Sequence, residues 1–422
     1  MSAFSRSTPY ARLELMAVPR PDEPATYFRK GFGLKTDVQG ILASDYNGRL
    51  VDLLREQDYT LVVDDVTIRL AREFGFCYGV ERAVEYAYQT RKKFPDRRLL
   101  LVGEIIHNPH VNAKLRGMGI EILEPASGAF DFSDIHPDDV VILPAFGVSI
   151  ADFEALRTIG CVLVDTTCGS VLNVWKRVET YARDGFTALI HGKHYHEETR
   201  ATASQVMKYP EGRYLVVRHM DEARMVCDYI EGRGSRDAFM AHFADATARG
   251  FDPDLHLRRI GVANQTTMLA KESLAIGEEV GRSIARARGA DARATDFRTF
   301  DTICSATQER QDAVIALLDE PLDAMIVVGG FNSSNTISLA ALCAERVPTY
   351  HIEDAEGIDA DSGTVHFRIA GVHHAEETRA GWMPTGRPVR IGITAGASTP
   401  NNKIGETVAR ILATRGLAID TF

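Results

Sequence analysis

The chain has 422 residues, of which 45% are hydrophobic and 25% are charged, and its formal net charge is −10. This composition is typical of a globular protein with several domains, and the acidic excess argues against general nucleic-acid binding. No apolar run approaches the roughly 20 residues that a membrane-spanning helix needs, so we expect neither nucleic acid nor a membrane as a partner. The six cysteines are widely scattered, which is typical of a reducing compartment rather than of a disulfide framework.

Residues 1–65 form a predicted N-terminal arm outside the pattern that repeats in the rest of the chain. The first 20 residues lack a signal-peptide core, and Glu14 disfavours a transit peptide. Residues 45–59 have the spacing of one amphipathic helix, and residues 60–65 are predicted to form a short strand or its approach.

After the arm, three segments share one arrangement, in which a cysteine stands just before a predicted helix. The three cysteines are Cys77, Cys168 and Cys304. A predicted strand then ends 26, 24 and 26 positions later, at Gly103, Gly192 and Gly330. A third strand with a polar loop closes each copy. Because repetition on this scale is uncommon by chance, we infer three diverged copies of one α/β unit.

The three copies set the predicted domain organisation. The units span residues 66–164, residues 165–299 with a surface insertion near 219–257, and residues 300–422, which include the C-terminal tail. Alternating strands and helices predict an α/β fold with parallel sheets and ligand-binding loops at the carboxyl ends of the strands. Since no long linker separates the units, we expect a pseudo-threefold arrangement around one central cavity, to which each unit brings one cysteine.

The loop after Gly192 carries the densest set of chemical groups. His196 and Glu198 stand two positions apart at a predicted helix start, where they can face one pocket as phosphate ligand and proton donor. As a structural segment alone, the same loop would be an ordinary helix cap, because the helix dipole favours acids there.

The corresponding loops of the other units are also polar. His107 occupies the loop of the first unit, and Ser333, Ser334 and Asn335 begin a predicted helix after two glycines in the third. Backbone N–H groups and hydroxyls in such a loop can bind an oxyanion, although the same residues are common helix caps. Thr266 and Ser398 lie in the closing loops of the second and third units. The loop of the third unit differs from the Walker motif, because it has no Gly-Lys-Ser/Thr.

The cysteines at predicted helix N-termini are candidate metal ligands, because that position favours the thiolate. A catalytic zinc ion with three cysteine ligands is one interpretation, although the close Cys-x₂-Cys pairs of structural zinc sites are absent. An iron–sulfur cluster between the units is the other, and three ligands would leave one iron open for a substrate. The other three cysteines lie in apolar segments and are predicted to be inert core residues: Cys161, Cys227 and Cys343.

These motifs resemble the LytB family of 4-hydroxy-3-methylbut-2-enyl diphosphate reductases over about residues 27–403. The most specific stretches are Gly75–Val80, Asp165–Cys168, His196–Thr199, Thr302–Cys304, Asn332–Asn335 and Gly396–Pro400. The long N-terminal arm and residues 196–204 and 306–310 are similar to the plant and cyanobacterial branch of the family.

The resemblance implies a role for each matching residue. Cys77, Cys168 and Cys304 match the ligands of one 4Fe–4S cluster, which would lie at the centre of the three units. Glu198 matches the acid that relays protons to the substrate, His196 matches both a diphosphate ligand and part of that relay, and Thr266 matches a threonine near the substrate's hydroxymethyl group. The other predicted diphosphate-binding residues are His107, Ser333, Ser334, Asn335 and Ser398.

Two departures from the family pattern stand out. Phe146 occupies a position in the first closing loop where bacterial members have a histidine, and a phenylalanine cannot bind phosphate. Gly169 and Ser170 replace the proline-led sequence that commonly follows the second cysteine, which affects the expected shape of the loop rather than the ligand.

The implied activity is the reductive dehydroxylation of 4-hydroxy-3-methylbut-2-enyl diphosphate to isopentenyl and dimethylallyl diphosphate, the last step of the methylerythritol phosphate route. A ferredoxin or flavodoxin type donor would supply the electrons. The implied location is the cytoplasm of a bacterium, or the plastid stroma if the source is a photosynthetic eukaryote. One alternative is a non-redox hydro-lyase, which differs in whether turnover requires reductant. The other is a non-catalytic iron–sulfur sensor, and Glu198 and the lack of a DNA-binding segment argue against it.

Overall fold

The structure is a computed structural model that describes residues 26–126, 128–300, 302–372 and 375–419. The predictions for the first 20 residues therefore lie outside the described residues. None of the helices in the described ranges is long and apolar enough to cross a lipid bilayer.

Strands and helices alternate along most of the chain, as predicted. The strands are β1 (Tyr27–Phe28), β2 (Thr60–Val63), β3 (Val66–Leu70), β4 (Leu99–Val102), β5 (Ile120–Leu123), β6 (Val140–Leu143), β7 (Val162–Asp165), β8 (Thr187–His191), β9 (Tyr214–Val217), β10 (Ile260–Asn264), β11 (Phe297–Thr299), β12 (Ala324–Val328), β13 (Thr349–Ile352), β14 (Ile358–Asp359), β15 (Thr364–Arg368), β16 (Glu376–Ala380) and β17 (Val389–Ala395). The helices are α1 (Lys35–Tyr46), α2 (Arg49–Glu56), α3 (Tyr78–Lys93), α4 (Pro109–Gly117), α5 (Ile150–Ile159), α6 (Gly169–Arg183), α7 (Glu197–Val206), α8 (Met220–Ile230), α9 (Arg236–His242), α10 (Pro253–His256), α11 (Ala270–Arg288), α12 (Ala290–Asp296), α13 (Ser305–Leu318), α14 (Ser334–Ala344) and α15 (Asn401–Ala413).

Two of the three sheets are entirely parallel. The first has the strand order β1-β7-β6-β4-β5, and the second has the order β11-β10-β8-β9. Every residue of β4, β6, β7, β8 and β10 is buried. Continuous apolar burial of this kind is typical of parallel strands covered on both faces.

The third sheet is mixed rather than parallel throughout. Its centre, β13-β12-β17-β3, is parallel, whereas β2, β14, β15 and β16 are joined to it or to one another by antiparallel pairing. The expectation of parallel sheets is therefore correct for the centre of this sheet and not for its edges, where tight connections such as the turn between β2 and β3 allow antiparallel pairs.

The strands around the predicted boundary at residue 66 belong to a different sheet from the rest of the first unit. Strand β3 pairs along its whole length with β17 of the third sheet, and β2 pairs with β3, so residues 60–70 belong with the third unit. Strand β1, in the predicted arm, pairs with β7 of the first sheet. The predicted single helix over residues 45–59 is also divided, because α1 ends at Tyr46 and α2 begins at Arg49 after Asn47 and Gly48.

The insertion near residues 219–257 contributes to the core as well as to the surface. It contains the helices α8, α9 and α10, as the charge pattern predicts. Phe239, Phe243 and Phe251 from this segment are nonetheless buried in the core of the second unit. Burial of three aromatic rings contributes several kcal/mol of hydrophobic stabilisation, so the insertion is an integral part of that unit.

Each of the predicted ligand cysteines lies at a junction between two units. Cys77 follows β3 of the third sheet and precedes α3, which packs on the first sheet. Cys168 leads from β7 of the first sheet to α6, which packs on the second, and Cys304 follows β11 of the second sheet and precedes α13 on the third. The three units are thus connected cyclically, with one cysteine at each crossing.

Candidate active site

The three cysteines occupy equivalent positions in the pseudo-threefold arrangement. Each is the N-cap residue of its helix, with an extended backbone and no side-chain capping bond, so the thiol is free to project from the helix start. Each backbone N–H donates to a carbonyl in the closing loop of the preceding unit, at distances of 3.2, 3.0 and 3.3 Å for the pairs Cys77–Ala397, Cys168–Ala145 and Cys304–Thr266. The same local geometry therefore presents all three thiols to one pocket.

The loops around the thiols are closely packed. Gly79 leaves no room for a side chain, since a Cβ atom there would lie 2.5 Å from Sγ of Cys168 and 3.9 Å from Sγ of Cys77. The hydroxyl of Ser170 donates to Sγ of Cys304 at 3.2 Å, which joins two of the units through a hydrogen bond to a candidate ligand. Burial raises the pKa of the Cys77 and Cys168 thiols, and their neighbouring thiols contribute to the rise.

The remaining cysteines lie in the cores, away from this pocket. Cys161, Cys227 and Cys343 are buried among apolar side chains of three different hydrophobic clusters. Burial raises their pKa to about 11, 11 and 12, respectively, so they remain neutral thiols at physiological pH.

Glu198 is buried in the same pocket and is hydrogen-bonded to Thr266. It lies in the first turn of α7 with only 1% of its surface exposed. One carboxyl oxygen accepts from the Thr266 N–H at 2.7 Å and the other is 3.0 Å from the Thr266 hydroxyl. Burial outweighs these hydrogen bonds and raises the pKa of Glu198 to about 7, so the group can both hold and release a proton near neutral pH.

His196 caps α7 and presents an unpaired nitrogen to the pocket. Its Nδ1 accepts from the Glu198 N–H at 3.1 Å, whereas its Nε2 is buried without a hydrogen-bond partner among the described residues. Burial, with a smaller effect of the nearby His107, lowers the pKa of His196 to about 3. In the neutral ring the proton must then be on Nε2, which leaves one donor available for a ligand.

His107 carries a positive charge beside this neutral histidine. Its Nδ1 is 2.8 Å from an oxygen of Glu104, and its Nε2 is 3.5 Å from an oxygen of Glu197. Burial alone would lower the pKa of His107, but the hydrogen bonds to these carboxylates outweigh it and raise the pKa to about 9. The two histidine rings meet edge to face, with centroids 5.1 Å apart. A buried imidazolium and a neutral donor together suit an anionic ligand.

Phe146 packs directly against both histidines. Its ring stacks on that of His107, with centroids 4.3 Å apart and an interplanar angle of 24°, and meets the ring of His196 edge to face at 5.7 Å. The aromatic side chain therefore packs on one face of the His107 ring, while Glu104 and Glu197 contact its nitrogens.

The predicted residues of the third unit form a compact polar cluster at the start of α14. Ser333 caps the helix, and the hydroxyls of Ser333 and Ser398 are 3.3 Å apart. Asn335 accepts from the Ala397 N–H at 2.8 Å, while its buried Nδ2 has no hydrogen-bond partner in the described part of the chain. The cluster lies against the first unit, since Ser398 donates to the carbonyl of His107 at 3.1 Å. Helix N–H groups, hydroxyls and an unpaired amide are the donors that a phosphate group requires.

Comparison with known proteins identifies the family. The sequence profile of the LytB protein family matches residues 68–412. The chain belongs to the LytB family. It is 47% identical over 393 residues to a protein named 4-hydroxy-3-methylbut-2-enyl diphosphate reductase from Thermosynechococcus vestitus, covering 93% of this chain and 96% of the relative. A protein of the same name from Gloeobacter violaceus is 48% identical over 397 residues, covering 93% of both chains. These relatives confirm the predicted similarity to the cyanobacterial branch.

A solved structure confirms the predicted α/β fold. The chain is similar to a structure described as the E-1-hydroxy-2-methyl-but-2-enyl-4-diphosphate reductase from Plasmodium falciparum, with a TM-score of 0.59 and 21% sequence identity. The likeness covers 81% of this chain and 86% of the solved chain. At this identity the comparison supports the fold and not the chemistry.

The spacing of the thiols bears on the two metal centres left open by the sequence. A single zinc ion with sulfur ligands at about 2.3 Å would bring the sulfurs to within about 4 Å of one another. Among the described residues, the trio whose ligand atoms all lie within 4.8 Å is His107, His196 and Glu197, and not the three cysteines. The more widely spaced thiols fit a cluster of several iron atoms better than one zinc ion. The positive charge of His107 makes this trio suited to an anion.

The structure brings all the predicted site residues to one pocket and adds several that the sequence analysis missed. Ser170 contacts Cys304, and Glu104 holds His107. Lys193, in the loop that carries His196, contacts Ser334 of the third unit. The sequence could have indicated Glu104. This residue directly follows β4 and the strand-end glycine, which is where a ligand-binding loop begins.

Proposed function

We propose that this protein reduces 4-hydroxy-3-methylbut-2-enyl diphosphate to isopentenyl and dimethylallyl diphosphate, with loss of the hydroxyl as water. The observation that carries the proposal is one pocket that combines three converging thiols, a buried acid with a pKa of about 7 and a cluster of anion-binding donors. The names of the cyanobacterial relatives, which match nearly the whole chain, support the same activity.

A 4Fe–4S cluster on Cys77, Cys168 and Cys304 is the cofactor that we propose for this site. When bound, such a cluster supplies the electrons and an iron atom that polarises the substrate's hydroxyl group. The support from this chain is the equivalent placement of the three cysteines, the absence of a fourth cysteine near the pocket among the described residues, and the spacing of the thiols.

The diphosphate is assigned to hydrogen-bond donors and positive charge that the protein itself supplies in the pocket. The Nε2–H group of His196 and the positive charge of the adjacent His107 lie on one side, and the hydroxyls of Ser333, Ser334 and Ser398 with the amide of Asn335 lie at the helix start on the other. Fixing the diphosphate with donors from three units orients the allylic end of the substrate toward the thiols.

Glu198 is the proposed proton donor for the departing hydroxyl. Its carboxyl group is buried beside Thr266, and its raised pKa means that a large fraction is protonated at neutral pH. The overall reaction consumes two electrons and two protons and releases one water molecule. Donation by a positioned acid lowers the barrier because hydroxide is a poor leaving group, an effect that typically amounts to 10²–10⁴-fold in rate. His196 and Thr266 hold this acid through its backbone and side chain.

A turnover assay under anaerobic conditions with and without reductant tests the proposal. Reconstituted protein is supplied with the diphosphate substrate and a dithionite-reduced dye, and the products are identified by mass spectrometry. We expect turnover only with reductant. Turnover without reductant would instead indicate a non-redox hydro-lyase, and binding without turnover would indicate a sensor. We further propose a ferredoxin or flavodoxin type protein as the natural donor and a bacterial cytoplasmic location.

A further inference from the structure

Lys193 extends from the second unit to the diphosphate-binding residues of the third. Its ammonium group donates to the hydroxyl oxygen of Ser334 at 3.0 Å, across 141 positions of sequence. Its backbone N–H donates to the side chain of Gln265 at 3.0 Å, which fixes the loop at its start. Lys193 is therefore hydrogen-bonded both at its backbone and at its ammonium group.

The ammonium group of Lys193 lies near other cations. In the part of the chain that the structure describes, its ammonium group forms no ion pair with a carboxylate, and the charged groups that act on it most are Arg368 and Arg218. Burial and these two cations lower the pKa of Lys193 to about 8. A half-buried ammonium among other cations is unfavourable unless an anion completes the site.

The direction of the hydrogen bond determines what Ser334 can do. An ammonium group can only donate, so the hydroxyl oxygen of Ser334 must accept from Lys193. The hydroxyl hydrogen of Ser334 is then left to donate to another group. Ser334 is 3% exposed at the first residue of α14, next to Asn335, whose buried Nδ2 also lacks a partner among the described residues. Both residues line the pocket that contains the three thiols, so two donors are available to a ligand there.

We propose that Lys193 is a positioning residue for diphosphate binding, which orients the Ser334 hydroxyl as a donor and places a positive charge next to the subsite of Ser334 and Asn335. This inference rests on the proposed function, because the anion is the diphosphate of the substrate. A hydrogen bond that involves a charged group is worth a factor of about 10–100 in affinity, so the loss of Lys193 should be measurable.

Calorimetric titration of the anaerobic holoenzyme with inorganic diphosphate and with the substrate tests the inference. We expect Lys193→Met to weaken binding of both ligands by about tenfold or more and to raise KM with little change in kcat. Lys193→Arg should retain most of the affinity, because it keeps the charge and the donor. Lys176→Met, which removes an exposed lysine from α6, is the matched control and should bind within about twofold of the wild type.

A double-mutant cycle shows whether Lys193 acts through Ser334. In a Ser334→Ala background, Lys193→Met should cost much less affinity than in the wild type, because the hydroxyl that it orients is gone. Equal costs in both backgrounds would contradict the positioning role, and wild-type affinity in Lys193→Met would overturn the inference altogether while leaving the proposed function intact. If the wild-type holoenzyme bound neither ligand, the proposed function would fail and the inference with it.

Discussion

Both oxygens of the Glu198 carboxyl group are hydrogen-bonded to Thr266, one to its backbone N–H and the other to its hydroxyl. The pair joins the start of α7 to the loop after β10, and both residues line the pocket that contains the three thiols. Because the Thr266 hydroxyl can donate or accept, it can stay bonded to Glu198 in either protonation state. This pair is the part of the site in which proton transfer is expected to occur.

Replacement of Glu198 by glutamine removes the transferable proton and keeps the size and most of the hydrogen bonding. We expect Glu198→Gln to lower kcat by roughly 10²–10⁴-fold, with the iron content and substrate affinity retained. Steady-state kinetics with reduced dye, combined with direct titration of the substrate, measures both quantities. Unchanged kcat would rule out the proton-donor role. Glu197→Gln, at the more exposed neighbouring position, should affect kcat much less.

The raised pKa of Glu198 also predicts a dependence of stability on pH. Its ordinary pKa is 4.5 and its folded pKa is about 7, so folding disfavours the ionised form. The resulting loss of stability is absent below about pH 4.5, develops as the pH rises, and is complete above about pH 7. A shift of this size corresponds to about 3 kcal/mol. The Tm of Glu198→Gln relative to wild type should therefore rise between pH 5 and pH 8, and a pH-independent difference would contradict the assignment.

The positions of the six cysteines predict which of them bind iron. Anaerobically reconstituted Cys77→Ser, Cys168→Ser and Cys304→Ser should each lose most of the iron and the visible absorbance of the wild type. Cys227→Ser is the matched control, because Cys227 is buried in the core of the second unit. It should keep both. Loss of the cluster in Cys227→Ser with wild-type iron in Cys304→Ser would reverse the assignment.

Phe146 is predicted to support His107 rather than to mark an unfilled phosphate position. Because its ring stacks on His107 at 4.3 Å, Phe146→Ala should loosen His107, weaken substrate binding and reduce the oxygen resistance of the cluster. Phe146→His should give no large gain in affinity, because a side chain at this position packs against His107 and is not placed to bind phosphate. Titration of the substrate into both variants, with the rate of absorbance loss in air, measures these effects. A tenfold gain in affinity for Phe146→His would contradict this interpretation.

The fold and the main site residues could be predicted because they depend on local patterns. Buried strands such as β8 are continuous apolar runs, and the residues that follow them, including His196 and Ser333, must lie at the carboxyl edge of a parallel sheet. The three equivalent cysteines were identifiable from their spacing to the next strand end. The structure agrees with these expectations because strand ends and helix starts are determined by nearby residues.

The features that the sequence analysis missed depend on contacts between distant residues. Strand β3 pairs with β17, which lies near the far end of the chain, and no local pattern indicates that pairing, so Val66 was placed in the first unit. The contact of Lys193 with Ser334 joins two units, and the stacking of Phe146 on His107 joins two distant loops of the first unit. Neither contact leaves a trace in local periodicity. The break between α1 and α2 at Asn47 and Gly48 could have been recognised, because asparagine and glycine favour turns.

The central claim is that the pocket between the three units carries out a two-electron reductive dehydroxylation. The most direct test is to reconstitute the wild-type protein anaerobically, add 4-hydroxy-3-methylbut-2-enyl diphosphate, and count product formed against electrons consumed from a reduced dye. We expect isopentenyl and dimethylallyl diphosphate in a combined yield of one product for every two electrons. Absence of both products from iron-replete protein, or their formation without consumption of electrons, would contradict it.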